Sequence, residues 1–415
     1  MTPRLTPRLT PRSATEVTYR IEKYRAAAVG ILETAGSTFL LLVAVRAFEA
    51  GATEKALIAA GGNIGMLSAP LMVVLVERLR WPASRGAALL ALIGAISFAV
   101  PALAPALPLY VLGSVIAMAC ANGMIPLMTQ IYQDNYHQRE RGRFYSRAMI
   151  IRVAAAAIFA ELAGRLLTDN IDLFRWLLVV FALCFAFSAF WLARIPSCPL
   201  TDLGSRNPLR GLKYVRDDRL FRNTLIMWML MGFANLMMMP LRVEYLANPR
   251  YGLVLSAQEI ALMTTIIPSL VRLVLSPVWG WLFDRMNFFV LRITVNMAFG
   301  VGIIAFFTGA SLPGLIIGSV VFGVAFSGGD LAWSLWVTRF APASRVADYM
   351  SVHTFFTGLR GVVAPLLAFQ LVSRLPIETL GIICFVIIAG ATALLLPEIR
   401  YGKPILDNAG ASREL

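Results

Sequence analysis

The sequence predicts an all-α polytopic membrane protein, with twelve transmembrane helices arranged as two homologous six-helix bundles. Three observations carry that expectation. The 415 residues are 58% hydrophobic and only 14% charged, where soluble domains are near half apolar and about a quarter charged. The excess is segmented into runs of about 20 apolar residues, the length of a helix that crosses a hydrocarbon core of roughly 30 Å. One charged punctuation is also written twice. APLMVVLVERLRWPASR (69–85) and SPVWGWLFDRMNFFVLR (276–292) align without a gap, pairing Pro70 with Pro277, Glu77 with Asp284, Arg78 with Arg285 and Arg85 with Arg292. A transmembrane barrel would show short alternating segments instead.

Taken in order, residues 1–25 read as a basic, disordered tail. MTPRLTPRLTPR repeats Thr-Pro-Arg three times, proline at every fourth position opposes helix, and no cleaved-signal pattern is present. Six spans follow at 26–48, 55–77, 86–105, 108–133, 143–167 and 173–193, forming an N-terminal bundle over 26–193. Residues 194–221 open with two prolines and become a charged, amphipathic stretch suited to the membrane surface. The C-terminal bundle, 222–396, holds spans at 222–245, 257–283, 289–309, 312–338, 346–372 and 377–396. A short tail, 397–415, completes the chain.

Basic residues orient these spans. Arg46, Lys55, Arg165, Arg175, Arg242, Arg250 and Arg374 fall on one face, Arg147, Arg152, Arg272 and Arg360 fall inside spans, and the remainder lie with the termini. Lys and Arg concentrate on the cytoplasmic side, so both termini are expected inside, in a bacterial-type inner membrane. The net charge of +14 is then a property of topology, and no nucleic-acid partner is expected. Cys120, Cys184, Cys198 and Cys384 lack metal or disulfide spacing. Nucleotide-binding loops, zincin motifs and dinucleotide fingerprints are absent. The expectation is therefore no enzyme, no cofactor and no metal, with energy drawn from a gradient. Nothing in the sequence requires more than a monomer.

The duplication, the inward termini and the central loop resemble the major facilitator superfamily of secondary transporters. Gly280-Trp281-Leu282-Phe283-Asp284-Arg285, with Arg292 beyond it, is similar to that family's G-x-L-x-D-R loop. In the first half Val73 stands in place of the glycine and Glu77 in place of the aspartate. Arg139-Glu140-Arg141-Gly142-Arg143 resembles a second family loop, with Pro342-Ala343-Ser344-Arg345 as a weaker counterpart. The resemblance implies a cytoplasmic gating cluster of Glu77, Arg78, Arg85, Gly280, Asp284, Arg285 and Arg292. Ordinary positive-inside anchoring is the alternative.

Ionisable groups near the bilayer centre cost about 2.5–3.5 kcal/mol on insertion scales and mark functional positions by default. Arg152, Arg272 and Arg360 fall near mid-depth of the fifth, eighth and eleventh spans, with Glu33 and Asp330 in the first and tenth. The family map places Glu33, Asn122, Gln130, Asn235 and Asp330 on a central cavity and the three arginines beside the seam between halves. Glu33, Asn122, Arg152, Asn235, Arg272, Asp330 and Arg360 are therefore the candidate substrate or ion contacts. Each arginine is alternatively a buried structural pair, and His353 a packing residue. The expected function is a proton-coupled transporter of a small, anionic organic solute. An exporter of lipophilic or cationic compounds and a non-transporting assembly factor or sensor are the alternatives.

Overall fold

The computed structural model describes residues 11–199, 212–253, 255–308, 311–336 and 346–401. The rest of the tails, residues 200–211 of the central linker and the Pro342–Arg345 loop lie outside the described residues. So do the side chains of Arg139–Arg143 and Asp284.

Among the described residues, twelve long helices run back and forth. The first, α1, runs Pro11–Thr34, passes through a π-helical turn at Ala35–Phe39 and continues as Leu40–Arg46. Then come α2 (Ala52–Arg78), α3 (Ala83–Leu103), α4 (Leu107–Gly123 and Ile125–Asn135), α5 (Gln138–Asp169) and α6 (Phe174–Leu192). After a short surface helix, Leu212–Asp217, come α7 (Arg219–Ala247) and α8. The latter consists of Ala257–Ala261, a π turn at Leu262–Ile266, and Ile267–Arg285. The chain ends with α9 (Phe288–Thr308), α10 (Leu312–Leu335), α11 (Val346–Val372) and α12 (Ile377–Ala393). Both described ends share one face, called basal below; the opposite face is apical.

Ten of these helices are long and apolar enough to cross a membrane. An eleventh is α2, bent by 49° between Ala52–Ala69 and Leu71–Arg78, where Pro70 breaks the ladder of backbone bonds. The twelfth is α5. Its 32 residues span about 48 Å, but Arg147, Arg152, Glu161 and Arg165 leave it too charged to read as an apolar run.

The N-terminal tail is not disordered up to residue 25. Helix already runs at Pro11, the first described residue. Downstream of it Thr18, Ile21, Glu22 and Arg25 are buried. Arg25 donates to Glu22 at 2.7 Å, and Asn135 of α4 donates to Thr18 at 2.9 Å. These contacts give the extra-membrane turns of α1 the tertiary support that its local sequence lacks.

Glycine sets the closest helix approaches, as expected where lipid offers no hydrophobic drive and close packing must hold helices together. A Cβ on Gly65 of α2 would sit 2.1 Å from the Ala119 carbonyl of α4, and one on Gly30 of α1 would sit 2.1 Å from the Arg152 carbonyl of α5. Between bundles, Gly358 and Gly361 of α11 lie against Leu67 and Asn63 of α2, and Gly164 of α5 lies against Gln258 of α8. The two bundles therefore meet along two seams, α2 with α11 and α5 with α8. Of the six methionines of α7, Met227, Met231, Met237 and Met238 are buried and Met229 and Met239 are half-buried. The four cysteines are free, and only Cys198 is exposed.

Candidate functional site

Four charges from four helices meet midway along the bundles. Arg152 of α5 approaches Glu33 of α1, Nε to Oε1 at 3.2 Å, and Arg272 of α8 contacts Asp330 of α10, Nη2 to Oδ2 at 2.6 Å. The first contact is an ion pair without hydrogen-bond alignment, since Arg152 Nε has no hydrogen-bond partner. Each pair lies within one bundle, yet Asp330 also feels the charge of Arg152 across the seam. The carboxylates are the open ends: side-chain exposure is 40% for Glu33 and 51% for Asp330, against 22% and 25% for their arginines. The arginines are thus held in the protein, while the acids present their oxygens to open space.

Just apical of Glu33, the π turns of α1 and α8 face each other. Thr38 shares hydrogen bonds with Thr264 at 2.7 Å and Thr265 at 2.6 Å, and Ser37 bonds Thr265 at 3.1 Å. A π turn widens one helical turn and frees backbone groups, and such turns recur at functional positions. Further toward the apical face the bundles are tied by charge. Lys55 of α2 donates to Glu244 of α7 at 2.8 Å, with side-chain exposures of 10% and 0%. Its ammonium also lies over the Phe369 ring of α11. Arg46 donates to the carbonyls of Ala247 and Leu255. Glu161 accepts from Arg165 at 2.7 Å, as the i,i+4 spacing suggests, and also from Gln258 of α8 at 2.8 Å. A cavity of about 940 Å³ opens outside this seal, lined by Arg46, Glu49, Lys55, Thr168 and Ser256 among others. It holds none of the central charges, so the site is placed by side-chain chemistry rather than by that hollow.

The remaining candidates divide. Asn122 donates to the Gly62 carbonyl at 3.0 Å, clamping α4 to α2, and Gln130 donates to Asp134 at 2.8 Å. Asn235 is half-buried, and its Oδ1 has no partner. Arg360 does not join the central cluster: it donates to the Trp228 carbonyl of α7 and packs against Gly232. The loop motif also departs from expectation. Arg292 is no basal surface residue, because its side chain is 3% exposed inside α9. It donates to Asn296 at 2.9 Å and stacks 3.5 Å from the Trp228 ring centroid. Residue 292 sits one turn beyond the α9 start, and the helix carries it inward.

Glu77 is half-buried, while Arg78, Arg85 and Arg285 are exposed. Arg85 lies over Trp81 and Arg285 over Trp281, each at 4.6 Å. Gly280 has open space around it. The apical latch was missed from sequence because Lys55 and Glu244 each stood at the edge of an apolar run, 189 positions apart, with nothing to announce the partner.

Solved structures share this fold. Nucleoside transporter NupG matches with a TM-score of 0.73 at 14% identity, covering 91% of this chain and 99% of that one. A D-xylose-proton symporter matches at 0.63 and 17%, covering 92% and 96%. The human organic anion transporter MFSD10 (TETRAN) matches at 0.63 and 17%, covering 94% and 100%. No protein-family model matches the sequence, and no curated protein matches it significantly. The chain is an all-α, polytopic integral membrane protein with the major facilitator fold.

Proposed function

We propose that this chain, having that fold, is a secondary active transporter of a small organic solute that works by alternating access and is coupled to protons. The observation that carries the reading is the central cluster Glu33–Arg152 and Asp330–Arg272. Two carboxylates, each held by an arginine from a different helix of its own bundle, face open space where the bundles meet. An acid so placed can release its arginine when protonated, and the freed arginine changes what its bundle prefers to contact. That is a two-state element which both a proton and a solute can bias. The polar ties across the apical seam supply the closed side of the cycle. With both termini in the cytoplasm, as the basic residues favour, the sealed apical side is the outer one, which supports reading this state as inward-facing.

The test is solute-driven proton movement in proteoliposomes carrying a pH-sensitive dye, screened over organic anions, sugars, nucleosides and lipophilic cations. The wild type is expected to change lumenal pH with at least one class, and Glu33→Gln is expected to lose that response while still inserting and remaining monodisperse. Organic anions as the active class would extend the reading to anion transport; lipophilic cations would replace that extension. A Glu33→Gln protein that moves protons as the wild type does would sink the coupling.

A further inference from the structure

Among the described residues, five of the thirteen buried side-chain polar atoms without a partner gather in one place, and all five can donate. Between α7, α9 and α11, in the basal half of the C-terminal bundle, Trp228 Nε1, Arg292 Nη1, Arg360 Nε, His353 Nε2 and Thr357 Oγ1 lack partners among the described residues. Trp228, Arg292, His353 and Thr357 are at least nine-tenths buried. They converge: Arg292 stacks on the Trp228 ring, Arg360 bonds the Trp228 carbonyl, and the His353 ring lies 5.3 Å from that of Trp228. Thr357 sits one turn from each of His353 and Arg360 on α11.

The histidine's proton can be placed. Trp336 Nε1, which can only donate, points at His353 Nδ1 at 3.2 Å, so Nδ1 accepts and the ring's hydrogen resides on Nε2. Every group in the set can then donate. Each guanidinium is anchored through one nitrogen, Arg292 to Asn296 and Arg360 to the Trp228 carbonyl, and leaves another free. The charge is also uncompensated. The two central arginines face carboxylates, whereas no carboxylate among the described residues pairs with Arg292 or Arg360, and Arg292 feels the like charge of Arg360. Buried charge without a counter-ion is costly, and a neutral or cationic guest would leave both the charge and the donors unmet.

We infer that Trp228, Arg292, His353, Thr357 and Arg360 form an anion-binding subsite, which takes a carboxylate or phosphate group by charge-assisted hydrogen bonds. That this group belongs to the carried solute rests on the transporter reading; the binding itself does not. Inorganic phosphate and acetate are therefore sufficient probes. Each is titrated against the purified full chain in detergent, following tryptophan fluorescence, with chloride at matched ionic strength as reference.

A saturable change is expected with at least one of the two. The dissociation constant should rise at least tenfold in Arg292→Gln and in Arg360→Gln, and severalfold in Thr357→Val, which keeps both charges and guards against a folding artefact. The exposed Lys213→Gln should bind as the wild type does. No saturable change in the wild type, or equal affinity in Thr357→Val and both arginine variants, overturns the subsite. Binding without solute-driven proton movement would keep the subsite and remove the transport reading. Solute transport unaltered by Arg292→Gln and Arg360→Gln would keep the transport reading and overturn the assignment of the bound group to the carried solute.

Discussion

Lys55→Met opens the apical side. Glu244 is then left as a buried carboxylate, its side chain fully covered, with one oxygen bonded only to Asn248 and the other to nothing. Breaking a buried ion pair by removing one partner costs about 3–5 kcal/mol. That penalty falls on the apically sealed state alone, because opening lets water reach Glu244. A shift of that size moves a two-state equilibrium on the order of 100-fold or more. The readout is maleimide labelling of Ala247→Cys, a position 1% exposed beside the latch, with the four native cysteines replaced by serine. Labelling is expected to accelerate by up to about 100-fold. Lys55→Met combined with Glu244→Leu should return it close to the starting rate, since an apolar pair can replace a buried ionic one. A labelling rate indifferent to Lys55→Met would mean that the latch carries no part of the seal.

The second large effect separates structure from transport at the central cluster. Asp330→Leu removes the partner of Arg272 and is expected to abolish solute-driven proton movement. Its effect on thermal stability should be modest, about 1 kcal/mol or less, because both side chains reach open space and solvent screens the pair. Arg272→Leu combined with Asp330→Leu should recover that stability and still not transport. If the double variant transports, the pair is a brace and the coupling group lies elsewhere.

The bundles, their duplication and the helix count were legible because each rests on a local signal: apolar runs, proline and charge punctuation, and the spacing of arginines. The identities of Glu33, Arg152, Arg272 and Asp330 as intramembrane charges were legible for the same reason. Which charge meets which was not. Arg152 and Arg360 occupy comparable places in the two bundles, yet one meets a carboxylate and the other a backbone carbonyl, because the pseudo-equivalent helix offers Glu33 in one case and Trp228 with Gly232 in the other. Arg292 reads as a loop cation by motif, and only the inward turn of α9 reveals it as buried. The helix of α1 from Pro11 onward was hidden by the proline repeat that leads into it, and Asn122 turned out to hold α4 against the glycine face of α2. Pairing and direction are tertiary facts, and no periodicity in the chain encodes them.

The central claim is that the two bundles rock about a site whose charge state sets their preference. It is tested most directly by the distance between spin labels at Leu79→Cys and Met286→Cys, one on the basal end of each bundle, measured by pulsed electron resonance in lipid nanodiscs. Two populations are expected, with a ratio that changes between pH 8 and pH 5. The basally open population should shrink in Lys55→Met, and the pH response should vanish in Asp330→Leu. A single distribution, identical at both pH values and unmoved by either variant, would contradict the account.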